Sequence, residues 1–62
     1  MDYEIMLCDV KDDKILTLEL GVAPDGKPIY QVSISIAKHW DGTTYRSFKA
    51  ALKTYKLLLR II

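Results

Sequence analysis

The residues of this chain that could do covalent or metal chemistry are few. The sequence contains one cysteine, Cys8, and one histidine, His39. A cysteine nucleophile needs an adjacent base, and a structural zinc ion usually needs four such ligands. The two residues fall on different predicted strands, and an isolated cysteine on a strand is more often a small buried apolar residue. The pair therefore predicts no catalytic residue, no metal and no cofactor.

Carboxylates and glycines give no stronger indication of an active site. Asp12 and Asp13 form an adjacent acidic pair, but they occupy a predicted turn in which solvation accounts for both. The three glycines are scattered through the chain, so none belongs to a phosphate-binding loop. We expect a protein that is not an enzyme and has no small-molecule substrate.

Five basic side chains near the carboxyl end form the clearest pattern in the sequence. They recur at intervals of three, four, three and four residues, which places them along one line of a helix, and no acidic residue interrupts them. Such a line can follow a phosphate backbone. Trp40 and His39, just upstream, could offer faces on which bases stack. The sequence therefore predicts a nucleic-acid contact made by Arg46, Lys49, Lys53, Lys56, Arg60, Trp40 and His39.

An acidic protein surface is the alternative partner for the same helix. Up to Gly26 the chain has seven acidic residues and two lysines, whereas from Lys27 onward it has seven basic residues and one acid. Oppositely charged halves can attract each other within or between chains. A lysine-rich helix face is also commonly just solvated, and that interpretation stays open.

Small size favours self-association. A chain of 62 residues buries a limited share of its surface, and a single cysteine allows no internal disulfide. Ala50, Leu57 and Ile61 form a second, small apolar strip on the predicted helix, separate from its main apolar face. We expect this strip to form the interface of a homo-oligomer.

The main apolar face predicts the helix itself. Apolar residues recur at helical spacing from Tyr45 to Ile62, which predicts an amphipathic helix over about residues 44–61 with Thr44 as its N-cap. Asp41-Gly42 is also a favoured hairpin centre, so residues 43–48 could instead form a short fourth strand. In that case Ser47 would be the N-cap.

Upstream of the helix, alternating apolar residues predict three strands over about residues 2–10, 14–22 and 29–38. Short polar turns join them, which favours an antiparallel meander. The expected fold is α+β, a three-stranded antiparallel sheet with a C-terminal helix on one face. We expect residues 1–62 to form one domain.

This order of elements resembles the arm-type DNA-binding domains of phage and transposon integrases. The run of residues 42–52, GTTYRSFKAAL, is similar to their strand-to-helix transition. The resemblance covers the order of elements and this short run, and it implies DNA binding. Those domains read DNA with a basic sheet, whereas this sheet is acidic and serine-rich and the basic residues lie on the helix.

The same sequence gives an expected location. Residues 1–20 lack the basic start and apolar core of a signal peptide, and no apolar run approaches the roughly 20 residues of a membrane span. A single cysteine suits a reducing compartment. We expect a cytoplasmic protein without membrane contact.

Overall fold

The structure is a computed structural model that describes residues 2–62. It contains one four-stranded antiparallel sheet, in the strand order β1-β2-β3-β4, and one helix that follows the last strand. This confirms the predicted α+β meander with a C-terminal helix. The possible fourth strand is present, but it spans residues 39–45 and not 43–48. The elements are β1 Glu4–Lys11, β2 Lys14–Val22, β3 Pro28–Ile36, β4 His39–Tyr45 and α1 Phe48–Ile61.

No turn signal in the sequence marks the connection between β3 and β4. Ala37 and Lys38 connect the two strands, with φ values of 47° and 74°. Both φ values are positive, as in a type I′ hairpin turn, which usually requires glycine or asparagine. Asp41-Gly42, the favoured hairpin dipeptide, lies inside β4 instead. The prediction that the third strand continues to residue 38 is therefore wrong by two residues.

The predicted start of the helix near Thr44 is also wrong. Thr44 and Tyr45 belong to β4, where they pair with Gln31 and Tyr30 of β3. Ser47 is the N-cap, and its Oγ accepts a hydrogen bond from the Ala50 amide at 3.3 Å. Tyr45 packs against the same core from the strand side. Its apolar character therefore fitted the helical spacing although it belongs to β4.

The core lies between α1 and one face of the sheet. Leu16 and Leu18 of β2 and Val32 of β3 contact Ala51 and Tyr55 of α1, and all five are buried. The small Ala51 side chain lets the helix backbone approach the leucines closely. Alternation along each strand therefore assigns every second residue to this covered face and the remainder to the opposite face, which we call the open face.

Tyr55 also connects the helix to the edge strand β1. Its hydroxyl donates a hydrogen bond to the Asp9 carboxylate and lies 3.5 Å from the Leu16 carbonyl oxygen. Burial raises the pKa of the Tyr55 hydroxyl far above its ordinary value, and the adjacent Asp9 carboxylate raises it further. The phenol therefore remains protonated in the folded protein at any ordinary pH.

Two alanine substitutions test where the helix begins. Ser47→Ala should lower the free energy of unfolding by about 1 kcal/mol, because the Ala50 amide loses its acceptor. Thr44→Ala should have an effect of less than about 0.5 kcal/mol, because Thr44 is exposed on β4 and caps nothing. Urea denaturation measures both changes. A larger loss for Thr44→Ala than for Ser47→Ala would contradict the observed helix start.

The raised pKa of Tyr55 predicts a loss of stability at alkaline pH. Above about pH 10 the unfolded chain releases the Tyr55 proton and the folded chain keeps it, so stability should fall by up to about 1.4 kcal/mol per pH unit. The contribution is complete below pH 10 and is lost as the pH rises above it.

Tyr55→Phe should lack this part of the loss. At neutral pH this variant should be less stable than the wild type by about 1–3 kcal/mol, because it lacks the hydrogen bond to a carboxylate. That difference should shrink in urea denaturation series between about pH 8 and pH 11. Tyr3→Phe is the control, since the Tyr3 hydroxyl makes no hydrogen bond within residues 2–62. Equal alkaline losses in the wild type and Tyr55→Phe would contradict the prediction.

Candidate functional site

The outer surface of α1 carries four of the five predicted basic residues. Lys49, Lys53, Lys56 and Arg60 are all exposed, on the side of the helix that faces away from Ala51 and Tyr55. We call these four residues the basic stripe. At 1.5 Å per residue, the stripe is about 16 Å long. None of the four forms an ion pair with another residue between positions 2 and 62, and α1 contains no acidic residue.

Leucine side chains flank the stripe. One shallow depression is lined by Lys49, Leu52, Lys53 and Lys56, and a second is lined by Lys53, Lys56, Leu57 and Arg60. The two depressions share Lys53 and Lys56, so they form one continuous surface. The aliphatic stems of the lysines can rest on the leucines while their ammonium groups stay in water. The surface presents positive charge to any flat or convex anion.

Arg46 does not belong to the helix. It lies in the bend between β4 and α1, where its Nη1 donates to Oδ2 of Asp25 at 3.0 Å and to Oδ1 at 3.2 Å. The Lys27 amide, which donates to Oδ1 of Asp25 at 3.1 Å, lowers the pKa of the Asp25 carboxyl, and Arg46 lowers it further. The charge of Arg46 is thus partly neutralised within the chain, unlike the charges of the stripe.

Trp40 and His39 lie on opposite faces of β4. Trp40 is opposite Ser35 on the open face, away from α1, and 63% of it is exposed. Its ring covers Gly42, where a Cβ atom would lie 2.6 Å from the indole. His39 is opposite Ile36 on the helix side of the sheet. The structure therefore places His39 on the same side of the molecule as the stripe and separates Trp40 from it.

A hydrogen-bonded polar cluster lies at the centre of the open face. Thr17 Oγ1 donates to Glu19 Oε1 at 2.9 Å, Ser33 Oγ lies 3.2 Å from the same oxygen, and the two hydroxyl oxygens are 2.5 Å apart. Thr17 and Ser33 are buried although no helix covers them. Sequence alternation placed Ser33 and Glu19 on the outward face, but the contact between them depends on strand register, which the sequence did not provide.

The polar cluster has no nucleophile–base geometry. Its carboxylate accepts from hydroxyls, and the only imidazole of the chain, His39, is on the other face of the sheet. Cys8 is opposite Thr17 and lies on the open face, but on the opposite edge strand from His39. The structure therefore does not bring Cys8 and His39 together. What the cluster does is satisfy the buried hydroxyls of two paired strands.

Exposed apolar side chains occupy two further surfaces. Leu57 and Ile61 of the predicted oligomer strip are 57% and 71% exposed, and Ala50 beside them is also exposed. On the open face, Val10, Ile15 and Trp40 fall in one row across the sheet, because their strand partners connect them through Ser35. All three are exposed. The helix strip and the open-face row lie on opposite sides of the molecule.

A small pocket lies between α1 and β4. Its volume is about 240 Å³, with an apolar base made by Val32, Ile34 and Leu58. Three polar residues complete the lining, namely Asp41, Thr43 and Thr54. The sequence did not predict this pocket, because it depends on how far the helix extends over the edge strand.

Between residues 2 and 62, no three His, Cys, Asp or Glu side chains are grouped so that they could hold a metal ion. In the same range, no helix combines the length and the apolar character that a bilayer crossing requires.

Comparisons with known proteins identify no relative. No family model matches the chain, and neither the curated proteins nor the solved structures that were compared give a match. The resemblance to arm-type domains is therefore one of element order and one short run of residues.

Proposed function

We propose that this protein is a small, non-enzymatic nucleic-acid-binding module and that the outer face of α1 makes the contact. The observation that carries the proposal is the basic stripe: Lys49, Lys53, Lys56 and Arg60 are exposed, aligned and free of ion pairs within residues 2–62. Four aligned cations repel one another unless a polyanion neutralises them. A phosphate backbone is the polyanion whose charges are spaced along a line.

The surroundings of the stripe favour contact with phosphates over recognition of bases. Leu52 and Leu57 flank the cations, and leucine side chains cannot form hydrogen bonds with base edges. Duplex DNA carries one charge per about 1.7 Å of its axis, so a stripe about 16 Å long faces several phosphates and can neutralise about four. Binding should depend strongly on salt and only weakly on sequence.

The other predicted contact residues take lesser roles in this arrangement. His39 is on the helix side of the sheet and can flank a bound strand, whereas Trp40 is on the open face and lies outside such a path. Arg46 would have to leave Asp25 to contact phosphate. The contact therefore depends mainly on the four residues of α1.

Neutralising half of the stripe should halve the salt dependence of binding. With four phosphate contacts, the slope of log K against log salt should be about −3.6 for a duplex, and Lys53→Gln with Lys56→Gln should reduce it to about −1.8. Fluorescence anisotropy with a labelled 16-base-pair DNA of mixed sequence measures both slopes. Circular dichroism should be unchanged, because both side chains are exposed.

A control with the same change in net charge separates the stripe from a general charge effect. Lys27→Gln with Lys38→Gln removes two positive charges from exposed loops outside α1. This variant should keep a slope near −3.6. The proposal fails if the loop variant and the stripe variant lose the same slope, or if unlabelled duplex does not compete with the labelled probe.

Self-association is a second candidate function, which the exposed strip of Ala50, Leu57 and Ile61 favours. Side chains as apolar as Leu57 and Ile61 are exposed here at one end of α1, next to the basic stripe. A homodimer that buried them would also remedy the limited core of a short chain. Such a homodimer could also be an adaptor whose basic stripe docks on an acidic protein surface.

Serine substitutions test whether the strip is an oligomer interface. Leu57→Ser with Ile61→Ser should convert a dimer into a monomer in light scattering at concentrations of about 10–500 µM, because the apolar area buried between copies is lost. Val22→Ser is the control, since Val22 is 58% exposed but lies on β2. A wild-type monomer throughout this range, or equal dissociation by Val22→Ser, would contradict the proposed interface.

A further inference from the structure

The two edges of the sheet differ in how they are protected. β1 has an irregular register between Ile5 and Leu7, and its Asp9 carboxylate points towards the helix. Bulges and inward-pointing charges are two devices that keep further strands from pairing with an edge. β4 has neither a bulge nor a proline, and its register with β3 runs unbroken from Tyr30–Tyr45 to Ile36–His39. Its one carboxylate on the helix side, Asp41, is exposed and borders the pocket between α1 and β4. The outer edge of β4 is therefore regular and has no strand partner within residues 2–62.

The pocket between α1 and β4 lies directly beside this regular edge. Asp41 and Thr43 of β4 line it together with Thr54 and Leu58 of the helix, and its volume of about 240 Å³ suits one apolar side chain of medium size. An edge strand flanked by a helix and a side-chain pocket is the arrangement in which extended peptides add as a further strand. Main-chain hydrogen bonds then give affinity, and the pocket gives specificity.

Asp41 supplies a charge preference at the same place. It is exposed and forms neither an ion pair nor a hydrogen bond with another residue between positions 2 and 62. It is the only acidic residue after Asp25, so the carboxylate stands alone in the basic half of the sequence. A basic side chain on an added strand could pair with it.

We propose that the free edge of β4 binds an extended peptide segment that carries an apolar and a basic side chain two positions apart. On an added strand, side chains two residues apart point to the same face. One opposite Thr43 enters the pocket above Val32 and Leu58, and the next on that face lies opposite Asp41. The direction of the peptide decides which of the two comes first.

A second copy of the chain fits this edge less well than such a peptide does. If two β4 strands paired antiparallel about Gly42, Thr43 and Asp41 of the copy would lie beside the pocket. Both are polar, and the two Asp41 carboxylates would approach each other as diagonal neighbours. The apolar base made by Val32, Ile34 and Leu58 would remain unfilled.

Three peptides of identical composition test the proposal. STLTKTS and its reverse STKTLTS, both acetylated and amidated, place leucine and lysine on the same side of a strand in the two orders. STLKTTS places them on opposite sides. In NMR titrations of the full chain, one of the first two should shift the amides of β4 and α1 around the pocket and slow the exchange of outer-edge β4 amides. Its affinity should exceed that of STLKTTS by about tenfold, because only that peptide can place leucine in the pocket and lysine beside Asp41 at the same time.

Variants of the protein separate the pocket from the carboxylate. Thr54→Phe should fill the pocket from the helix side and weaken binding of the preferred peptide about tenfold. Thr44→Phe, on the open face of β4, should leave that binding unchanged. Thermal unfolding should show that both variants fold. Asp41→Asn should weaken the peptide about two- to fivefold, as expected for an exposed ion pair.

Several results would overturn the inference. These are equal affinity for STLKTTS, shifts confined to the basic stripe, no saturable shifts up to about 10 mM peptide, or β4 amides already protected by self-association of the free protein. None of them bears on DNA binding by Lys49, Lys53, Lys56 and Arg60, because the inference does not depend on that function. The two proposals therefore stand or fall separately.

Discussion

The packing of one helix on a four-stranded sheet is the constraint on which the rest of this structure depends. Ala51 and Tyr55 bury Leu16, Leu18 and Val32, and these five residues form the buried cluster of the core. A helix is about 10 Å wide, whereas four strands at about 4.8 Å spacing are wider. α1 lies over β2, β3 and β4, and it reaches β1 mainly through the Tyr55–Asp9 hydrogen bond. One face of the sheet and most of β1 therefore remain uncovered by the helix.

No second layer covers the open face, and local polar and aromatic contacts pack part of it. Thr17, Ser33 and Glu19 satisfy one another across β2 and β3 at the centre of the open face. The Trp40 ring covers the backbone at Gly42, which has no side chain of its own to pack. A cluster whose hydroxyls and carboxylate are already paired has little to offer a substrate. The polar centre of the open face is thus satisfied within the sheet, whereas Val10, Ile15 and Trp40 on the same face remain exposed.

Sequence patterns predicted the elements of this fold better than the contacts between them. Alternation predicted β2 over the residues that the structure shows, and the bounds of β1 and β3 agree within two residues, because strand and turn signals are local features of the sequence. The turn at Ala37-Lys38 was not predictable, since neither residue type favours positive φ, and the expected hairpin dipeptide occupies a strand. Choosing Ser47 over Thr44 as the N-cap required the pairing of Tyr45 with Tyr30, which no local pattern contains.

The residues of the candidate site were likewise predictable only where one element carries them. Helical periodicity alone aligned Lys49, Lys53, Lys56 and Arg60, and the structure shows all four exposed along α1. The contact of Arg46 with Asp25 joins residues 21 positions apart, and the face occupied by Trp40 follows from the register of β4. Neither fact is contained in any local pattern. A single sequence therefore predicts a surface made by one helix, but not one assembled from several strands.

The position of the single helix explains where several of the proposed binding surfaces lie. Because α1 has only one buried face, its remaining surface is divided between the basic stripe and the apolar strip of Ala50, Leu57 and Ile61. Where the helix meets the last strand it leaves a pocket of about 240 Å³ beside the unprotected edge of β4. The charged line and the apolar strip thus belong to the helix alone, whereas the pocket and the free edge depend on how the helix and the last strand meet.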